Sequence, residues 1–215
     1  MTGARSQLSR IGRADGAVAT TEFALLLPLF LVLGVGGVDT ASYILTHMRM
    51  SQLALQVADN ASRMGERNVL VSRKVYESDI NDVFIGARQA ASGLDIAGRG
   101  RIILSSLERN ADGGQWIHWQ RCTGTLARAS AYGPQGTGAT GTAFPGMGPA
   151  GTRITAGAGD AVMFVEVAYR YHAVSGLSPF DGRLIVYTGS YNVRDARDLT
   201  QVYQTTPAAM VATCS

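Results

Sequence analysis

The sequence predicts an α+β protein, with one long N-terminal apolar helix followed by a small antiparallel β-sheet domain that carries one or two packed helices. Three observations lead there. Residues 16–38 (GAVATTEFALLLPLFLVLGVGGV) hold a single charge, Glu22. Tyr43, His47, Met50, Ala54, Val57, Ala61 and Met64 then recur at alternating spacings of four and three, the signature of a helical stripe. Beyond Arg101, short runs rich in Val, Ile and aromatics alternate with Gly- and Pro-bearing links, as strands and turns do.

Composition narrows the function classes. Of 215 residues only 16% are charged, against 46% hydrophobic, and the mean hydropathy is +0.08. Soluble globular chains carry about 25% charged residues. A charge-rich disordered chain is excluded, and so is a polytopic membrane protein, since there is one long apolar run. Two cysteines exclude a disulfide-dense scaffold and a four-thiolate zinc site. The net charge is +3, but Arg5, Arg10 and Arg13 against Asp15 leave +2 of it within residues 1–15. Lysine occurs once, at Lys74. No basic face remains for nucleic acid, and none is expected as a partner.

Residues 1–16 read as a basic leader and 17–65 as one helix, membrane-spanning over 17–38 and extended beyond it over 39–65. A span needs about 20 apolar residues, and the uncharged core runs from Phe23 to Val38. The arginines before it place the N-terminus in the cytoplasm and everything after Asp39 outside, by the positive-inside rule. A cleaved secretory signal has similar ingredients, but here the apolar run continues into helical sequence without a turn. A buried core helix would show one polar face, and residues 23–38 show none. Glu22 is costly in such a segment, roughly 2.5–3.5 kcal/mol by analogy with Asp at a helix centre. Either it sits at headgroup level, or it is kept to pair with a cation on another subunit.

The stretch Asp15–Pro28 (DGAVATTEFALLLP) resembles the N-terminus of the TadE-like family, minor pilins or pseudopilins of the tight-adherence (Flp, type IVc) pilus. Asp39–Ala61 resembles it too, as do the strand-like runs Trp116–Gln120 and Val162–Tyr171. The resemblance implies a bacterial inner-membrane protein with a periplasmic C-terminal domain. It implies a role in initiating or supporting pilus assembly, either as a subunit of the filament or in priming its assembly only. Its implied partners are the membrane, other pilin and minor-pilin subunits, a prepilin peptidase and pilus assembly platform proteins. The peptidase would remove the leader after Gly16, placing Glu22 sixth in the mature chain, or after Ala17, placing it fifth. Glu22, followed by Phe23, would then neutralise the new α-amino group of a neighbouring subunit. The membrane helix around Leu25, Leu26, Leu27, Pro28, Leu29 and Phe30 would pack with other pilin helices. The competing expectation is an unprocessed single-pass adaptor or binding protein of an envelope complex.

The rest of the chain, 66–215, reads as the α+β domain. Residues 75–92 place Ile80, Val83, Phe84, Ala87 and Ala91 on one helical face. Residues 101–107 and 115–122 read as a hairpin about the turn Asn110–Gly114. Residues 161–171 and 182–193 read as two further strands, with Gly189 as a bulge candidate. Residues 124–159, with ten Gly and three Pro, read as a long loop of the kind that is functional or mobile. Within it, GPQGTG at 133–138 lacks the Gly-Lys-Ser/Thr end of a phosphate loop. Helix 39–65 has two open roles, packing on the chain's own domain or on other subunits. Asp181, Asp195 and Asp198 with Arg183, Arg194 and Arg197 read as a solvated charged edge. Cys122 and Cys214 are expected to form a disulfide in an exported compartment. No catalytic motif, metal site or cofactor site is recognisable, so no enzymatic activity is expected.

Overall fold

In a computed structural model, the backbone is described for residues 4–65, 72–176 and 178–214, with side chains described from Val18 onward. The elements are α1 (Ala4–Arg63), α2 (Glu77–Ala90), α3 (Ile96–Arg99), β1 (Gly100–Arg109), β2 (Gln115–Thr123), β3 (Ala161–Arg170) and β4 (Leu184–Asn192). The four strands form one antiparallel sheet in the order β2-β1-β3-β4. The α+β expectation is met. The first helix begins earlier than its expected start at Ala17, since helical backbone runs back to Ala4. The chain forms two compact units, one of Met1–Ile44 with His172–Asp181 and one of Leu45–Tyr171 with Gly182–Ser215. The division therefore falls within α1 rather than after it.

In the larger unit, helices cover one face of the sheet. Met50, Leu53, Ala54, Val57, Ala58 and Ala61 of α1 are buried, so the stripe over this stretch packs on the chain's own domain. Small residues let the helix come close. A Cβ at Gly189 would lie 2.5 Å from the Ala54 carbonyl oxygen. Gly189 pairs in regular register with Val165; it is not a bulge, and the missing side chain admits the helix instead. The irregularity lies at Ser106–Leu107, opposite Trp119 and Ile117. His47, expected as a polar member of the stripe, has its Nδ1 3.0 Å from the Tyr187 hydroxyl.

The end of α1 is built by two devices. Gly65 adopts φ +111°, a region that disfavours side chains, and a Cβ there would meet the Lys74 carbonyl oxygen at 2.7 Å. Arg197 donates to the carbonyls of Ala61 (3.3 Å), Ser62 (3.3 Å) and Met64 (2.9 Å), satisfying acceptors that a helix end leaves open. Arg197 is therefore not part of a solvated edge. Burial, then the neighbouring Arg73, lowers its pKa to about 10, and it stays charged at neutral pH.

Ile80, Val83, Phe84 and Ala87 of α2 are buried as the pattern requires. The Asp79 carboxylate accepts from the Tyr76 amide at 2.9 Å, closing the helix start. Glu77 meets Arg121 of β2 in a buried, two-pronged ion pair, with Nε 2.9 Å from Oε2.

The Gly-rich segment 124–159 covers part of the opposite face and leaves Thr188 of β4 exposed. Its scattered apolar residues, Tyr132, Phe144, Met147, Ile154 and Ala156, pack on Leu107, Ile117, Val162 and Phe164. Gly136 and Thr137 hydrogen-bond Ile117 on the outer edge of β2 (Gly136 N–H to Ile117 O, 2.7 Å; Ile117 N–H to Thr137 O, 2.9 Å). The segment is a loop, as expected, but it is a packed layer held by backbone pairing. The C-terminal tail runs beside Arg73 and Tyr76 through bridges at Arg197 and Tyr203. It ends in the expected disulfide, Cys122–Cys214 (S–S 2.07 Å).

Two measurements check this packing, both by unfolding of the full chain in detergent. Gly189→Val should lower stability by about 1–3 kcal/mol through overpacking against α1, whereas Thr188→Val, on the exposed face, should change it by less than about 0.5 kcal/mol. Cys214→Ser should cost about 3–5 kcal/mol, because the bridge closes a sequence separation of 92 residues.

Candidate functional site

The first half of α1 carries the residues singled out from the sequence. From Val18 to Val38 every side chain is exposed. Leu25 is 79% and Val32 70% exposed. Leu26, Leu27, Pro28, Leu29 and Phe30 are exposed as well. The best 18-residue window has a mean hydropathy of 2.1. A helix apolar on every side, with nothing among the described residues covering it, suits a bilayer rather than water. Two of its hydroxyls are met by the helix's own backbone. Thr21 Oγ donates to the Val18 carbonyl and Thr40 Oγ to the Gly36 carbonyl, each at 2.8 Å, so neither needs a partner from lipid. Glu22 and Phe23 lie exposed on this surface. Gly16 and Ala17 lie in helical backbone, and their side chains are outside the described residues.

Asp39 ends the apolar run and is buried, 2% exposed. Its carboxylate accepts from the Ser175 hydroxyl and from the Ser175 amide at 3.1 Å. These bonds hold its pKa below the usual carboxylate value, the Ser175 hydroxyl contributing most. One turn on, the Tyr43 ring stacks on Phe180 with centroids 4.5 Å apart and planes 7° apart. The β3–β4 connection is also tied across its own base, where Asp181 accepts from the Ala173 amide at 2.8 Å and lies 3.1 Å from His172 Nδ1. Nothing local in the sequence signals this clamp, since Asp39 and Ser175 are 136 positions apart.

A second polar cluster sits on the helix-covered face of the sheet. Ser106 Oγ donates to Glu108 Oε1 at 2.6 Å, and His118 Nδ1 lies 2.8 Å from Glu108 Oε2. Trp116 stacks on His118 at 4.3 Å. A cavity of about 10 Å³ beside them holds no more than a water-sized group. Ser-His-acid catalysis requires the imidazole between hydroxyl and carboxylate. Here the carboxylate stands between the other two, so His118 cannot take the Ser106 proton. Among the described residues no group of three or more His, Cys, Asp or Glu is placed to hold a metal ion.

Compared with known proteins, residues 16–67 match the family model described as TadE-like protein. The match takes in the apolar run, Glu22, Asp39 and the turn that closes α1. No curated protein and no solved structure matches the chain.

The clamp predicts a pH dependence. Hydrogen bonds that favour ionised Asp39 depress its folded pKa. Their contribution is therefore complete above the ordinary carboxylate value of 3.8 and lost as pH falls through the folded value. Hydrogen exchange of segment 171–183, corrected for intrinsic rates, should show protection falling below pH 3.8. In Asp39→Asn protection should be lower at neutral pH and should fall less on acidification than in the parent chain.

Proposed function

We propose, from the TadE-like domain that this chain carries over residues 16–67, that it is a minor pilin or pseudopilin supporting initiation or assembly of a tight-adherence pilus. The observation that carries this reading is an apolar helix, exposed on every side, with one carboxylate near its start inside the matched segment. Such a helix can be stored in the inner membrane and then transferred into a bundle of like helices, because both surroundings are apolar. The leader arginines hold the N-terminus in the cytoplasm, and the sheet unit lies in the periplasm, where the Cys122–Cys214 bridge is stable.

Glu22 supplies register. A lone carboxylate in an apolar bundle is costly, and so is a lone ammonium. Processing after Gly16 or Ala17 creates an α-amino group a few residues from Glu22. Pairing it with Glu22 of the adjacent subunit removes both penalties at one axial offset only. Partners are thus other pilin and minor-pilin subunits, the prepilin peptidase and the assembly platform. A second reading, an unprocessed envelope adaptor, draws support from the helical backbone that runs unbroken through Gly16 and Ala17, because cleavage there requires local unwinding.

The mass of the native N-terminal peptide, in cells with and without the peptidase, separates the two readings. Loss of the leader only when the peptidase is present supports the pilin, and an intact leader in both supports the adaptor. Glu22→Ala should leave membrane insertion unchanged and abolish pili. Normal piliation in that variant would refute the pairing role.

A further inference from the structure

We propose that the β3–β4 connection, His172–Asp181, is a second membrane contact that seats its apolar tip in the phospholipid headgroup layer beside α1. This rests on the reading of residues 17–38 as a membrane span. Asp39 directly follows the last apolar residue, Val38. At about 1.5 Å per residue, Tyr43 lies about 6 Å further along the helix than Asp39. The headgroup region is about 5–7 Å deep on each side of a bilayer, so Asp39 and Tyr43 fall within or at the edge of it.

The connection is fastened to both residues. Ser175 holds Asp39 through its hydroxyl and amide, and Phe180 stacks on Tyr43. Whatever depth Asp39 occupies, the connection shares it. Its composition suits that depth. Residues 173–180 (AVSGLSPF) carry no charge, while His172 and Asp181 flank them. Val174 is 75% exposed, and Pro179 is exposed as well. An aliphatic side chain thrust outward has no packing role in water, but it gains one among lipid. The aromatic pair at the boundary fits the aromatic belts of membrane proteins.

A mostly apolar cleft of about 860 Å³ opens between the connection and the helix, with Val35, Gly36, Ile44, Ser178, Pro179 and Phe180 among its walls. The cleft is continuous with the exposed apolar surface of 18–38. An acyl chain following that surface runs into it and brings its ester and phosphate groups level with Ser178 and Ser175. The occupant is therefore a bilayer phospholipid. The connection then does more than join two strands: it gives α1 a second point of attachment and so restricts its rotation about its own axis.

The test uses the full chain in phosphatidylcholine–phosphatidylglycerol vesicles containing a phospholipid with a diazirine on its acyl chain. After irradiation, trypsin cuts after Arg13, Arg49, Arg128, Arg153, Arg170 and Arg183. This gives fragments 14–49, 129–153 and 171–183. Lipid adducts are expected on 14–49 and 171–183, at least about fivefold above the packed-loop fragment 129–153. Val174→Asn, with the Cys122–Cys214 bridge confirmed by mass, should lower the yield on 171–183 about threefold and leave 14–49 unchanged. Labelling of 14–49 with 171–183 at the level of 129–153 would overturn this inference alone. So would an unchanged yield on 171–183 in Val174→Asn. Absence of adducts on 14–49 would overturn the membrane-span reading and this inference with it.

Discussion

The approach of a helix backbone to a strand backbone, at Ala54 and Gly189, is the contact on which the sheet unit depends. It requires a glycine on the strand and small residues on the helix, and the chain supplies Ala54, Ala58 and Ala61. With α1 that close, Met50, Leu53 and Val57 reach the sheet and close its helix-facing core. The same approach brings the carbonyls at the end of α1 within reach of Arg197. A buried guanidinium is costly unless its donors are met; three backbone carbonyls accept from Arg197 Nη2, while its buried Nε has no hydrogen-bond partner among the described residues. Packing and capping are thus one arrangement, and a side chain at Gly189 would disturb both.

The two halves of α1 obey different rules. Residues 18–38 have no preferred face, because hydrocarbon surrounds a membrane helix evenly. Residues 50–64 have a narrow apolar stripe, because one side meets a sheet. The change falls at Asp39, where the first acid after Glu22 is held by hydrogen bonds from Ser175. The hydrogen bonds at Thr21 and Thr40 belong to the same logic. Polar groups in the apolar stretch are satisfied within the helix, and Glu22 stands apart as the group whose cost asks for an outside partner.

Much of the fold was legible because it rests on local periodicity. The stripe in α2, the Asn110–Gly114 hairpin and both later strands are encoded within ten or so residues each. The apolar run and Glu22 were equally plain. What stayed hidden depends on residues distant in sequence. Arg197 looks like one charge in a charged stretch until the end of α1 is placed against it. Gly189 suggests a bulge unless the helix over it is known. Ser175 has no feature that marks it as the partner of Asp39. The segment 124–159 misleads by its composition, since its few apolar residues are enough to cover half of one sheet face when backbone pairing at Ile117 fixes their positions.

The C-terminal tail has a mechanical consequence. It begins at Arg197, which grips the end of α1, and finishes at Cys214, which is covalently joined to β2. Tension drawn along the helix from the membrane side is therefore shared. Part passes through the direct contact with β4, and part through Arg197 and along the tail to a bond that does not yield. Load enters the sheet at two separate strands, β4 at one edge and β2 at the other, so the strands cannot be peeled off one at a time from a single edge. Pulling on the helix thus loads both edges of the sheet at once.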